Sequence, residues 1–156
     1  MGNKSHHGLD ILAEVGTELK SMYNGKVVDF DNTWAKKKES KNEDDNGCDY
    51  DANAFGNYVI LKYELKEGIT GIDGKKYNTI YAKFCHLDEV DNNIKKDADI
   101  KAGELLGTCG CSGNAGALKN VEFHLHLETN ATNSFNTSTG ARKINPESLS
   151  KNGIKK

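Results

Sequence analysis

The sequence predicts a mainly β protein: a single antiparallel β domain with long loops. Three observations carry this. Sixteen glycines stand against one proline in 156 residues, the β-branched and aromatic residues gather in short runs, and one stretch alternates apolar and polar residues strictly. In chain order, Ile11 to Met22 holds no 3.6-residue apolar period and reads as extended pieces rather than a helix. Val27, Val28 and Phe30, after Gly25, form a short strand. Residues 32–55 mix a lysine run, an acidic run and glycine around only Trp34, Tyr50 and Phe55, which predicts a solvated surface insertion. Asn57 to Glu64 and Asn78 to Phe84 are strands of a long-tipped antiparallel hairpin, with Gly68, Gly71 and Asp73-Gly74 supplying the turn chemistry. Leu105 to Cys109 is a further strand, followed by a glycine-rich turn over 110–116 and a strand over Val121 to Thr129. After Arg142 the chain reads as a polar, lysine-rich end with Asn145-Pro146 as a stop signal. Five or six short strands and one core result. The whole of 1–156 reads as one domain, with a core of about 6–149, an insertion of about 32–55 and a polar tail over 150–156.

Composition excludes several functions. With 21 basic and 23 acidic side chains, a net charge of -2 and a pI near 6.2, the chain has no general field for polyanions, so nucleic acid is not an expected partner. No apolar run approaches the about 20 residues of a membrane-spanning helix. The first ten residues, MGNKSHHGLD, contain no apolar stretch or small-residue cleavage site of a secretory signal. Cys48, Cys85, Cys109 and Cys111 lack the paired Cys-x-x-Cys knuckles of a structural zinc site. Their spacing selects no disulfide pairing, although Cys85 and Cys109 or Cys111 lie near strands expected to be neighbours.

In VEFHLHLET, Val121, Phe123, Leu125 and Leu127 alternate with Glu122, His124, His126 and Glu128. His124 and His126 therefore share one strand face, roughly 7 Å apart. Taken alone, such a pair reads first as a solvated strand face. In HHGLD, Gly8 allows the chain to fold back so that the His6 imidazole and the Asp10 carboxylate converge on one ion. Two histidines and a carboxylate make a three-ligand shell of the catalytic zinc type, with a fourth position open. A short histidine run near residue 1 is otherwise a terminal tag, and His7 alone fits that reading. His86, in YAKFCHLDE, is by itself a strand-end residue. Together, four of the five histidines fall in a ligand-type array at strand ends and loops.

The ordered motifs HHGLDI, VGTELKSMYNGKVV, GNYVIL, TIYAKFCHLDEV, IKAGELLGTCGCSGNAG, HLHLE and INPESL resemble the lysostaphin-type (LytM-like) zinc endopeptidases, from residue 6 to about 149. The resemblance implies a zinc site on the concave face of the sheet. It implies one Zn2+ held by His6, Asp10 and His126, with His124 and His86 as catalytic imidazoles. His124 is the better candidate base because it shares the ligand strand, and Glu128, on the same strand face, can orient a ligand as a hydrogen-bond acceptor. The implied substrate and partner is peptidoglycan, cut in its stem peptides or cross-bridges by a monomer in an extracellular or periplasmic location. The alternative is a non-catalytic member that binds the wall or activates a partner amidase. Such members lose ligands, and this chain keeps the set.

Overall fold

The computed structural model describes residues 8–39, 46–51, 53–117, 123–135, 144–147 and 149. They form an eight-stranded antiparallel sheet: β1 (Leu9–Leu12), β2 (Glu18–Lys20), β3 (Gly25–Asp31), β4 (Asn57–Thr70), β5 (Lys76–Val90), β6 (Asp99–Ile100), β7 (Leu105–Cys109) and β8 (His124–Asn130). Helical structure among the described residues is confined to a 3-10 turn, Asn114–Ala117, and to Glu147 and Leu149. The strand order is β1-β8-β5-β4-β3-β6, with β7 joining β5 to β2. The expected hairpin is present, but its strands are 14 and 15 residues long, and the tip shrinks to residues 71–75.

Period-two alternation sorts the hairpin into two faces. Val59, Leu61 and Tyr63 of β4 lie opposite Phe84, Ala82 and Ile80 of β5, and all six are buried. With Val27, Leu87, Leu106 and Leu127 they make the core. Ile144 and Leu149 are 1% and 0% exposed and complete it. The Tyr23 hydroxyl donates to the Leu149 carbonyl oxygen, and the Thr129 hydroxyl to that of Ile144. The stretch after Arg142 is thus not simply a polar end, because two apolar residues in it seal the core. The opposite face carries Tyr58, Ile60 and Lys62 of β4, Tyr81, Lys83 and Cys85 of β5, and His124, His126, Glu128 and Asn130 of β8.

β5 is long enough to serve two neighbours on one edge. Tyr81 to Cys85 pair with β8, and Leu87 to Val90 pair with β7. His86 sits at the hand-over. Against β4 the ladder steps from Val59↔Phe84 to Asn57↔Leu87, so Cys85 and His86 together face Tyr58. This is a β-bulge, and His86 adopts φ 65, a left-handed conformation uncommon for a non-glycine residue.

No described residue of the 32–55 segment is buried. Its described parts are tied to the sheet by backbone and covalent links rather than by apolar side chains. Trp34 N–H donates to Asn57 Oδ1, Lys37 N–H donates to Asp88 Oδ1, and Tyr50 forms a parallel bridge with Gly113. Cys48 is disulfide-bonded to Cys111. Cys85 and Cys109, which lay near neighbouring strands in the sequence reading, are buried and in no disulfide.

Candidate metal centre and active site

The edge strand β1 pairs antiparallel with β8 in a register that sets Asp10 directly opposite His126 and Leu12 opposite His124. Asp10, His124 and His126 therefore share a face, as cross-strand and diagonal neighbours. Asp10 Oδ1 lies 2.6 Å from His126 Nδ1 and 3.3 Å from His124 Nε2. One ligand atom from each of the three residues falls within 4.8 Å of the others, a candidate metal-binding group. A β-carbon on Gly8 would lie 2.7 Å from His126 Cε1 and 2.7 Å from the Leu127 carbonyl oxygen, so only glycine lets the chain pass this close to the ring.

Glu128, two residues along the same face, is 1% exposed, and its Oε1 lies 3.0 Å from His126 Nε2. A buried carboxylate at Nε2 leaves Nδ1 as the nitrogen turned toward Asp10. This is the usual way an imidazole is aimed at a metal. Beside Glu128, in register across β5, stands the buried Lys83. Its ammonium lies 3.7 Å from the Phe55 ring centroid and 4.5 Å from that of Tyr58, a cation–π arrangement that lets the charge sit under aromatic cover.

His86 approaches from the bulge. Its ring centroid is 5.6 Å from that of His124 and 5.9 Å from that of His126. It is 3% exposed, and its Nδ1 lies 2.9 Å from the Ser112 carbonyl oxygen. The sequence set His86 just after a strand, whereas it lies within β5, in a bulge that the sequence did not show. The structure thus gathers Asp10, His86, His124 and His126, with Glu128 behind them. His6 and His7 lie outside the described residues. Sequence reasoning did not assign roles to Ser112, whose carbonyl oxygen meets His86, or to Asn57, which bonds Ser112. Asn57 was visible only as the start of a strand, and Ser112-Gly113 only as part of a glycine-rich turn.

The model of peptidase family M23 matches residues 4–139. The chain belongs to peptidase family M23. Its fold is similar to that of the catalytic domain of the antimicrobial peptidase lysostaphin from Staphylococcus simulans, at 21% identity and a TM-score of 0.55 over 94% of this chain and 81% of that one. It is also similar to the catalytic domain of the prophage-encoded M23 protein EnpA from Enterococcus faecalis, at 18% identity and a TM-score of 0.52 over 94% and 80%. The antiparallel sheet of this M23 domain is the lysostaphin-like fold. No helix among the described residues is long and apolar enough to cross a membrane.

The imidazoles of the M23 site differ in their proton affinity. Burial pushes His86 from 6.5 down to about 4, against the smaller upward pull of the Ser112 carbonyl. For His126 burial acts downward too, but hydrogen bonds and charge from Glu128 and Asp10 outweigh it and raise the value. The two shifts act on stability with opposite signs. Between about pH 4 and 6.5 the unfolded chain protonates at residue 86 while the native chain does not, so this contribution is lost as pH falls. The His126 contribution is complete below 6.5 and is lost as pH rises through its raised value. In urea titrations of the metal-free protein, His86→Gln should remove a slope approaching about 1.4 kcal/mol per pH unit in the acid window. An unchanged acid slope in the variant would show that His86 is not held neutral.

Proposed function

We propose that this M23 domain is a zinc-dependent endopeptidase that hydrolyses peptide bonds in peptidoglycan stem peptides or cross-bridges, at the cell wall and outside the cytoplasmic membrane. The observation that carries this reading is the convergence of Asp10, His124 and His126 on one sheet face, with the His126 ring braced by the buried Glu128. A carboxylate with imidazoles is the donor chemistry of catalytic zinc, whereas structural sites are closed and rich in thiolates. His6, Asp10 and His126 are the residues we assign to hold one Zn2+, with Nδ1 as the His126 ligand atom. Zinc bound there supplies Lewis acidity that polarises the scissile carbonyl and brings the pKa of water toward about 7.

The other residues handle protons and position. His124, on the ligand strand and 14% exposed at its side chain, accepts a proton from the attacking water and returns it to the departing amine. His86, kept neutral by burial, orients the reacting groups from the bulge. Glu128 fixes the His126 ring, so Glu128→Ala should weaken zinc binding about 10- to 100-fold without unfolding the sheet. A zinc titration of that variant giving wild-type affinity would remove Glu128 from the account.

The direct test is incubation of the metal-loaded domain with purified peptidoglycan and a count of newly exposed α-amino groups. The reading expects their release, and its arrest by a chelator. Sedimentation with the wall without any new amines would instead support the non-catalytic, wall-binding alternative.

A further inference from the structure

The bulge that carries His86 is locked from outside the metal centre. Ser112, 2% exposed, presents its carbonyl oxygen to His86 Nδ1 at 2.9 Å. A carbonyl oxygen can only accept, so in the neutral ring Nδ1 carries the proton and Nε2 keeps its lone pair. The Ser112 hydroxyl fixes this residue on two sides. Its Oγ donates to the Leu87 carbonyl oxygen at 2.8 Å and accepts from Asn57 N–H at 3.0 Å. Asn57, 1% exposed, is itself a hub. Its Nδ2 donates to the carbonyl oxygens of Trp34, Leu87 and Asp88 at 3.1, 3.2 and 3.3 Å.

Two glycines make this contact possible. A β-carbon on Gly56, at φ 70, would lie 2.3 Å from Ser112 Oγ, and one on Gly113, at φ 73, would lie 2.3 Å from Gly56 N. On the other side His86 N–H donates to the Phe55 carbonyl oxygen at 2.9 Å, and the residue before Ser112 is the disulfide-bonded Cys111. The two carbonyl groups that bond to His86, those of Phe55 and Ser112, thus lie within the 46–57 segment or next to the cysteine bonded to it.

We propose that Ser112 is a positioning residue, which holds His86 as the Nδ1–H tautomer with Nε2 left as an acceptor for the reacting groups. The proposal rests on the reading of His86 as part of the catalytic machinery, and it narrows that role. A neutral ring with no proton on Nε2 accepts a hydrogen bond from water or amine and does not donate one to an oxyanion.

Imidazole nitrogen NMR of the metal-free protein, with His86→Gln identifying the resonances, tests the tautomer without any activity. The expected result is a pyrrole-type Nδ1 and a pyridine-type Nε2, and the reverse assignment would overturn the proposal even if no Ser112 variant folds. In Ser112→Ala the two tautomers should mix. Turnover on a peptidoglycan peptide should fall about 10- to 100-fold, with KM and bound zinc unchanged and with Ser112→Thr restoring both signals. A Ser112→Ala protein with a single Nδ1–H tautomer and wild-type kcat would also overturn it. If the wild type cleaves no peptide while Ser112→Ala mixes tautomers, the proposed function fails and the positioning role stands.

Discussion

His126→Ala is expected to leave the chain without bound zinc after dialysis and without measurable peptide hydrolysis. His126 sits at the crossing of the site's contacts, with Asp10 at one ring nitrogen and the buried Glu128 at the other. Removing the ring deletes a ligand and also takes one hydrogen-bond partner from the Glu128 carboxylate, which is 1% exposed. A buried carboxylate that loses a hydrogen-bond partner costs about 1–3 kcal/mol or more. The variant should therefore also unfold at lower urea than the metal-free wild type. Asp10→Ala should lose the metal too, but with a smaller stability change, because the Asp10 side chain is 39% exposed. Full zinc retention by either variant, measured as metal per chain, would reject the ligand assignment.

His124→Ala separates two neighbours on one strand face. The assignment of His124 to proton transfer predicts a protein that folds and keeps its zinc while kcat drops about 10²- to 10⁴-fold, the usual size of a general acid–base contribution. The geometry makes this a demanding test, since His124 Nε2 lies only 3.3 Å from Asp10 Oδ1 and belongs to the same candidate metal-binding group. Loss of zinc from His124→Ala would redraw the shell as Asp10, His124 and His126. Retention of both zinc and full activity would move the base to His86 or Glu128.

How far the sequence was legible depends on what held each element in place. The alternation of β8 was plain because its two faces meet different environments, with Leu125 and Leu127 in the core and His124 and His126 on the open face. The burial of Glu128 was not plain. Parity placed it with the histidines, but only the register with Lys83 across β5 shows that the far end of β8 is covered on both faces. The hairpin strands ran longer than expected because β4 passes through an irregular stretch, Leu65 to Gly68, before the ladder resumes at Ile69↔Tyr77, and that interruption breaks the apolar alternation. β6, two residues long, carries no periodicity at all.

The attachment of the 32–55 segment was hidden for a related reason. Its charged composition describes its side chains, whereas its attachment runs through Trp34 N–H, Lys37 N–H, the Tyr50 bridge and the Cys48–Cys111 disulfide. His86 shows both limits together. Its residue type and its place after a strand marked it as a candidate, but the bulge at φ 65 and the buried Asn57–Ser112 contact behind it are long-range facts.

In the function proposed above, one zinc ion on this sheet face makes the domain a peptidase. The most direct measurement is a titration of metal-free protein with Zn2+, following bound metal and release of α-amino groups from peptidoglycan in the same samples. Both should rise together and level at one equivalent per chain. Hydrolysis that is already complete in the metal-free protein, or zinc bound at one equivalent with no amines released, would contradict it.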